Sequence, residues 1–286
     1  MWVADKWRDY ELLDCTHGER LERWGAFHLV RPDPQVIWDT PRTHPAWARA
    51  DARYRREGGG GHWEVHDLPS HWDIAYGDYR FRVRPMNFKH TGLFPEQAVN
   101  WHFLRARIAK ARQAVRVLNL FAYTGGATVA AAGAGAEVCH VDAARGMVAW
   151  ARENAAVSGL ADRPVRWIVD DCRAFVQREI RRGRRYDALI LDPPSYGRGP
   201  SGEVWKLEES LFDFLTLCAG VLSDAPLFVL LNAYTTGLAP GALSYLLNST
   251  MTARFGGAAE ADELGLPVTR TGWILPCGAT GRWMPC

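Results

Sequence analysis

Long hydrophobic runs are absent from this sequence. Its 286 residues are 48% hydrophobic, yet no apolar segment approaches the roughly 20 residues that a membrane-spanning helix needs. The N-terminus also lacks the apolar core of a secretory signal. We therefore expect a cytoplasmic protein that does not enter a membrane, and the sequence leaves its oligomeric state open.

Lysine is scarce, and charge of either sign is not in large excess. Only four of the 34 basic residues are lysine, and the formal net charge is +2. A strongly basic nucleic-acid binder carries more positive charge than this. The arginines still offer a planar fork that suits phosphate or carboxylate groups.

Cysteine pairs and common ligand motifs are missing as well. The six cysteines are scattered and form no C-x-x-C pair, so we expect reduced thiols rather than disulfides. The spacing of His62, His66 and His71 is too loose to predict a metal site. No G-K-[ST] sequence occurs, which excludes a Walker-type phosphate loop.

The chain changes in composition between its two parts. Eight of the nine histidines and eight of the 13 tryptophans precede residue 112. We predict that residues 1–97 form a small, strand-rich α+β substrate-binding module. Within it, strands at 72–76 and 79–83 flank a hairpin tip at Gly77-Asp78. Arg80, Arg82 and Arg84 then share one face, which favours nucleic-acid binding or is simply a solvated strand face.

Residues 98–286 alternate apolar runs with helical patterns. This alternation predicts a parallel sheet with helical crossovers. The predicted strands are 116–121, 137–141, 165–169, 186–191 and 227–232, and the predicted helices are 98–111, 127–132, 144–157, 173–182, 203–221 and 240–252. Segments 258–263 and 273–277 are expected to add an antiparallel hairpin at the edge of the sheet.

The turn after the first of these strands contains Thr124-Gly125-Gly126. Glycine lets the backbone bend sharply and approach a ligand without a Cβ clash, and the next helix N-terminus offers amides to an anion. An ordinary tight turn explains the same residues. The turn lacks the G-x-G-x-x-G pattern, so a dinucleotide site fits less well.

Carboxylates follow the next two strands. Asp142 is placed to accept hydrogen bonds from ribose hydroxyls, because it lies at a strand end 17 positions after Gly125. Asp170-Asp171 follows the third strand, where a carboxylate can accept from an adenine amino group and the Cys172 backbone can face a ring nitrogen. Helix N-capping is the alternative role at both places.

A proline-rich motif, Asp192-Pro193-Pro194-Ser195-Tyr196, follows the fourth strand. Two prolines fix the backbone and expose carbonyls in a rigid loop. Such a loop can hold a flat base or an amine for methyl transfer, which depends mainly on placement. Asp192 can accept a hydrogen bond or a proton, and Tyr196 can stack on a base. A plain Pro-rich turn is the alternative.

Together these residues resemble the bacterial 23S ribosomal RNA methyltransferase group. The likeness lies in segment 117–126, Val141-Asp142, Arg145-Gly146-Met147, segment 150–154, Leu191-Asp192-Pro193-Pro194 and segment 92–97. It implies a class I methyltransferase fold, which is α/β and Rossmann-like with a seven-stranded, mostly parallel sheet. It also implies S-adenosylmethionine as cofactor and RNA, of ribosomal origin, as substrate.

The resemblance also implies roles for individual residues. By position, the cofactor contacts are Phe121, Tyr123, Gly125, Asp142 and Asp171, with Gln97 nearby. We predict that Asn119, Thr124, Gly126, Ala143, Cys172 and Asp192 complete that set. Asp192, Pro193, Pro194 and Tyr196 are the predicted catalytic loop, and Arg80, Arg82, Arg84, Lys89 and Tyr196 the predicted substrate contacts.

One departure from the family pattern leaves the chemistry open. RNA cytosine-5 enzymes often have a cysteine directly after the proline pair, where this chain has Ser195, so covalent catalysis through that loop is unsupported. Cys277 is the other candidate nucleophile. A methyltransferase for a small molecule or a protein, and a non-catalytic RNA-binding scaffold, remain alternative functions.

Overall fold

The computed structural model describes residues 1–58, 60–198 and 204–285, and the chain forms two compact units. The large unit comprises Met1, Val99–Leu264 and Gly278–Cys286, and the small unit comprises Trp2–Ala98 and Gly265–Cys277. The predicted boundary put all residues after 97 in one domain, whereas Gly265–Cys277 clusters with the N-terminal residues. The small unit is therefore built from two separate stretches of chain.

The small unit is rich in strands. A five-stranded sheet has the order β2-β3-β4-β5-β6, in which only β4 and β5 pair in parallel. The hairpin predicted at 72–76 and 79–83 is confirmed as β7 and β8. The strands are β1 (Trp2–Val3), β2 (Tyr10–Thr16), β3 (Glu19–Trp24), β4 (Phe27–Pro32), β5 (Ala52–Glu57), β6 (Gly60–Val65), β7 (Trp72–Tyr76) and β8 (Tyr79–Val83), with 3-10 turns at Pro45–Trp47 and Pro95–Gln97.

Charged residues occupy buried positions of this sheet. Glu22 is fully buried and accepts hydrogen bonds from Arg31 Nε and Nη2 at 2.6 and 2.7 Å and from Tyr10 Oη at 2.7 Å. Burial alone would raise the pKa of Glu22, but Arg20 and Arg31 lower it to about 2. A buried carboxylate of this kind is tolerated because it is paired and hydrogen-bonded.

The large unit has a three-layer α/β arrangement, with helices packed against a central sheet. Within this unit the sheet carries seven strands, as predicted, in the order β16-β17-β15-β12-β9-β10-β11. The elements are α1 (Ala98–Lys110), β9 (Arg116–Leu120), α2 (Gly126–Gly133), β10 (Glu137–Asp142), α3 (Arg145–Val157), β11 (Val165–Val169), α4 (Cys172–Arg181), β12 (Ala188–Leu191), β13 (Tyr196–Arg198), β14 (Val204–Lys206), α5 (Leu207–Ala219), β15 (Phe228–Ala233), α6 (Pro240–Leu247), α7 (Ala253–Phe255), β16 (Ala258–Pro267) and β17 (Ile274–Met284), with a π-helical turn at Asn248–Thr252.

The order of the parallel strands places the functional edge of the sheet. Strands β11, β10, β9, β12 and β15 pair in parallel, and β17 joins β15 antiparallel. The chain goes outward in one direction from β9 to β11 and in the other direction from β12 to β15. The strand order therefore reverses between β9 and β12, and ligands of open α/β sheets bind outside the carboxyl ends of strands at such a point.

Apolar central strands explain why this sheet forms. Every residue of β12 (ALIL) and β15 (FVLLNA) is buried, as expected for strands covered by helices on both faces. Edge strand β11 contains only exposed and half-buried residues. No helix among the described residues is long and apolar enough to cross a membrane.

Three predicted helices or strands differ from the structure. The helix predicted from residue 203 begins at Leu207; residue 203 lies outside the described residues, and 204–206 form β14, which pairs with β13. The helix predicted at 240–252 loses its α-helical hydrogen bonding after Leu247. The predicted tail hairpin is longer, because β17 continues to Met284 and pairs with β15.

Candidate active site

The turn between β9 and α2, residues 121–125, has an unusual backbone. Phe121 and Tyr123 have φ angles of 54° and 51°, and Gly125 has 82°. Left-handed φ values are uncommon for residues other than glycine. Three of them within five residues form a compact turn that carries the chain from the end of β9 into the N-terminus of α2, and backbone strain of this kind clusters at functional sites.

Contacts from neighbouring segments hold this strained turn in place. The amide of Ala122 donates to the Val141 carbonyl at 3.1 Å, and the amide of Phe121 donates to Cys172 Sγ at 3.3 Å. Asn154 Nδ2 donates to the Thr124 carbonyl at 2.8 Å, and this side chain is fully buried in α3. The turn is thus fixed from β10, α3 and α4 together.

Gly125 is required at its position for two reasons. Its φ of 82° disfavours any side chain. A Cβ atom there would also lie 2.8 Å from Ala151 Cβ and 3.3 Å from Ala151 Cα in α3. Because the helix backbone approaches so closely, α2 and α3 pack together only around a residue without a side chain.

A buried chain of polar side chains lies beneath the turn. Asn119 Nδ2 donates to Thr128 Oγ1 at 2.9 Å, and that hydroxyl lies 2.9 Å from His140 Nδ1. His140 is fully buried, and burial lowers the pKa of its imidazole to about 3, with Arg152 adding to the effect. Among the described residues, His140 Nε2 has no hydrogen-bond partner. A neutral histidine therefore supports α2 from below.

His140 should make the protein less stable in acid. The unfolded chain binds a proton at this residue near pH 6.5, whereas the folded state binds it only near pH 3. The contribution of neutral His140 to the free energy of unfolding is therefore fully present above pH 6.5. It decreases by about 1.4 kcal/mol per pH unit as the pH falls from 6.5 towards 3. We expect H140N to show a shallower decrease than the wild type when urea unfolding is measured between pH 7.5 and pH 4.5.

His90 also has a pKa lowered to about 3 by burial, so some acid sensitivity should remain in H140N. Equal slopes for the two proteins would show that His140 does not bind a proton on unfolding. Measurements at pH 7.5, where both states are neutral, provide the baseline for the cost of the substitution itself.

Asp142, at the end of β10, joins the turn to the next helix. Its Oδ2 accepts from the Tyr123 amide at 2.8 Å and its Oδ1 accepts from the Ala144 amide at 2.8 Å. Burial raises the pKa of this carboxyl, while both amides oppose the rise. The N-cap residue of α3 is Ala144, so Asp142 anchors the turn instead of capping the helix. Ala143 beside it is exposed.

The two acidic residues after β11 have different surroundings. Asp171 is the N-cap of α4 and accepts from the Ala174 amide at 2.8 Å, as the capping alternative predicts. Asp170 forms an ion pair with Arg178. Cys172 is buried, and its sulfur supports Phe121 from within the protein. The predicted adenine contacts of Asp171 and Cys172 stay predictions.

The loop after β12, residues 192–196, lies beside the turn because β9 and β12 are paired. Leu191 is the register partner of Leu120, and the Asp192 amide donates to the Leu120 carbonyl at 3.4 Å. Asp192 is half-buried and Pro193 is buried, whereas Pro194 and Tyr196 are exposed. The structure thus brings the start of the predicted catalytic loop next to Leu120, which directly precedes the turn.

The remaining predicted residues belong to the small unit. Arg80 and Arg82 share one face of β8, and Arg82 forms an ion pair with Asp73 at 3.0 Å. Arg84 lies just beyond the end of β8, Gln97 ends a 3-10 turn, and Lys89 Nζ donates to the Pro32 carbonyl at 3.2 Å. Burial lowers the pKa of Lys89 to about 8, with the positive charge of Arg20 next in effect.

Burial disfavours the thiolate form of all five described cysteines. Burial raises the pKa of Cys15 and Cys139 to about 11 and also raises those of Cys172, Cys218 and Cys277. Cys277, the candidate nucleophile, donates instead to the Leu275 carbonyl at 3.4 Å. A nucleophilic cysteine requires a lowered pKa. Residues 1–58, 60–198 and 204–285 also bring no three His, Cys, Asp or Glu side chains together as metal ligands.

Several residues at this edge carry no local sequence signal. Thr128, His140 and Asn154 support the turn, while Trp205 and Thr235 contact the loop. Trp205 and Thr235 follow their loop partners by 11 and 40 positions. Only the packing of the sheet brings them there, so no short motif could have identified them.

The comparison with protein families points to one family. Residues 31–207 match the model of the S-adenosylmethionine-dependent methyltransferases. A crystal structure of the SAM-dependent methyltransferase from Agrobacterium tumefaciens is 37% identical to this chain, covers 100% of it and 93% of its own chain, and superposes with a TM-score of 0.93. The match therefore extends over both units.

Other relatives share less. SMU.776, a candidate methyltransferase solved with SAH, is 18% identical with a TM-score of 0.71, covering 98% of this chain and 76% of its own, which shows the fold alone. The ribosomal RNA large subunit methyltransferases K/L of Methylococcus capsulatus and Shewanella baltica are 34% and 32% identical over 52% and 41% of this chain. The matched segments span only 19% and 16% of those proteins.

Proposed function

The chain belongs to the S-adenosylmethionine-dependent methyltransferase family, and from this membership we propose that it methylates a base nitrogen in ribosomal RNA. The observation that carries the proposal is the adjacency of the 121–125 turn and the 192–196 loop at the point where the strand order reverses. The 121–125 turn suits the cofactor, and the 192–196 loop suits a flat acceptor base.

The residues of the turn fit S-adenosylmethionine. Gly125 leaves the turn without a side chain at its closest approach to α3, and α2 begins directly after it, at Gly126. Helix N-terminal amides attract a carboxylate, so the start of α2 would hold the amino-acid end of the cofactor. Asp142 would accept from the ribose, and Asp171 and Cys172 would flank the adenine.

Asp142→Ala should weaken cofactor binding. The substitution removes the acceptor of the Tyr123 and Ala144 amides together with the proposed ribose contact. We expect the dissociation constant for S-adenosylmethionine, measured by titration calorimetry, to rise about 10- to 100-fold, as for the loss of hydrogen bonds to a charged group. D162A, at an exposed turn, is the matched control; equal affinity in D142A and D162A would refute the assignment.

The 192–196 loop would hold the methyl acceptor. S-adenosylmethionine supplies an activated methyl group on a sulfonium sulfur, so the protein mainly has to place an acceptor in line with it. The Asp192 carboxylate can accept a hydrogen bond from an amine N–H and then its proton, and the exposed ring of Tyr196 offers a surface for stacking a base.

The state of the cysteines favours nitrogen over carbon as the acceptor atom. Methylation at cytosine C5 needs a thiolate that adds to the ring, and all five described cysteines have raised pKa values. An amine nitrogen has its own lone pair and needs no such addition. The chemistry of this loop is therefore simplest for a base nitrogen.

Ribosomal RNA is proposed from the names of the relatives and from the surface of the small unit. The curated relatives are called ribosomal RNA large subunit methyltransferases, and Arg80 and Arg82 line one face of β8. Arginine forks suit phosphate contacts. Arg80 is exposed, and Arg82 forms an ion pair with Asp73.

Methyl transfer from labelled S-adenosylmethionine tests the proposal directly. The purified protein is incubated with ribosomal RNA from a strain lacking the gene, and the RNA nucleosides are analysed by mass spectrometry. A nitrogen-methylated base that is absent from the deletion strain is expected. Label appearing only on protein or on small molecules would contradict the RNA proposal and indicate a substrate of that class. Cofactor binding without any turnover would favour a non-catalytic scaffold.

A further inference from the structure

Four of the hydrogen bonds that hold the 192–196 loop reach it from neighbouring segments. The Asp192 amide donates to the Leu120 carbonyl, and the Leu207 amide donates to the Ser195 carbonyl at 3.0 Å. The hydroxyls of Ser195 and Thr235 lie 2.7 Å apart. The fourth bond runs from Trp205 Nε1 to the Pro194 carbonyl and is 2.7 Å long.

Trp205 differs from the other partners because its ring also reaches the turn. The ring centroids of Trp205 and Phe121 are 5.4 Å apart, and both rings pack against Phe214 of α5, at 5.5 and 5.7 Å. Aromatic pairs at such separations attract each other. Phe121 is the residue that enters the turn with a left-handed φ of 54°.

One side chain therefore contacts both segments of the site. Its N–H holds a carbonyl of the loop that follows β12, and its ring packs on the first residue of the turn that follows β9. The Asp192 amide also donates to the Leu120 carbonyl, one residue before the turn, in a longer bond of 3.4 Å. Trp205 supplies a shorter hydrogen bond to the loop and also a ring contact with the turn.

We propose that Trp205 is a positioning residue that keeps the acceptor loop in register with the cofactor turn. The inference rests on the proposed function, since it takes the loop to hold the acceptor and the turn to hold the cofactor. Transfer of a methyl group requires donor and acceptor to be aligned, and a displacement of about 1 Å can cost on the order of 100-fold in rate. Loss of the bond to Pro194 frees the loop without removing any group that touches the reacting atoms.

Trp205→Phe tests this role because it keeps an aromatic ring and removes the N–H donor. We expect kcat for methylation of ribosomal RNA to fall about tenfold, the effect of one net hydrogen bond on a barrier. The dissociation constant for S-adenosylmethionine should stay within about twofold, and the thermal midpoint should stay close to that of the wild type. W205L, which removes the ring as well, should lower kcat further and also weaken cofactor binding.

W273F is the matched control, because Trp273 is exposed in the small unit, and it should behave like the wild type. A kcat for W205F within twofold of the wild type would overturn the inference. So would a loss of activity accompanied by a matching fall in thermal midpoint and cofactor affinity, which indicates a structural role alone. Cofactor binding by the wild type without methylation of ribosomal RNA would overturn the proposed function, and this inference with it.

Discussion

Asp192→Ala should reduce the rate of methyl transfer by about 100- to 10,000-fold, the range for losing a group that moves a proton in the transition state. Asp192 directly follows β12, where the neighbouring strand leads into the 121–125 turn. The substitution removes the carboxylate that would accept the proton of the methylated amine. The measurement is kcat under saturating cofactor with ribosomal RNA from a strain lacking the gene.

Two further variants make this result specific. D192N keeps an acceptor oxygen but has no charge, so an intermediate rate is expected if the carboxylate both orients the amine and takes its proton. D224A alters an exposed carboxylate and should retain the wild-type rate. Asp192 was also predicted to contact the cofactor, and a rise in the dissociation constant of D192A would support that second role. A rate for D192A above a tenth of the wild type would exclude Asp192 as the proton acceptor.

Gly125→Ala is expected to abolish useful cofactor binding. The new Cβ would meet Ala151 Cβ at 2.8 Å at a φ of 82°, so the turn and α3 must separate. Strain and overpacking together should lower the free energy of unfolding by about 2 to 4 kcal/mol. We expect the dissociation constant for S-adenosylmethionine, measured by calorimetry, to rise at least about 100-fold.

The turn at Gly135 offers a matched control for this substitution. Gly135 has a φ of 96°, and nothing lies within 4 Å of its Cβ position. G135A therefore carries the backbone strain without the clash and should lose about 1 kcal/mol of stability with unchanged cofactor affinity. The double variant G125A/A151G removes the Cβ that Gly125→Ala would meet, and partial recovery of binding is expected. Wild-type affinity in G125A would contradict the close approach of α2 and α3.

The sequence was sufficient to predict which residues follow the parallel strands at one edge of the large unit. Parallel strands end at one edge, so residues that follow successive strands, such as Gly125, Asp142 and Asp192, had to lie near each other. Alternating apolar and amphipathic segments identified the five parallel strands of that sheet within two residues. These features depend on local periodicity, which a single sequence records directly.

The small unit was harder to predict because charged residues lie inside it. Strand β3 (Glu19–Trp24) reads ERLERW, a pattern without a clear apolar face. Its Arg20 and Glu22 are buried and compensated by Arg31 and Asp33 from elsewhere in the sheet. Burial of a charge depends on a partner that is distant in sequence, and strand patterning alone does not reveal such a partner.

The side chains that support the site were missed for a related reason. The sequence predicts His140 only as part of the strand 137–141, and it predicts Trp205 as part of the helix 203–221. His140 acts through Thr128, and Trp205 acts through Pro194 and Phe121. Such roles follow from the register of neighbouring strands and from the β13–β14 hairpin, which propensity did not indicate. The individual cofactor and substrate contacts stay predictions until the variants are measured.

The composition of the small unit has a consequence for the order in which the chain acquires its structure during synthesis. That unit needs Gly265–Cys277 in addition to Trp2–Ala98, so Trp2–Ala98 cannot complete its contacts until residue 277 has been made. In the large unit, the pairing of β15 with β17 likewise cannot form until β17 (Ile274–Met284) has been made. Until then the ribosome presents Trp2–Ala98 with unfinished tertiary contacts. Synthesis arrested before residue 265 should leave Trp2–Ala98 accessible to protease.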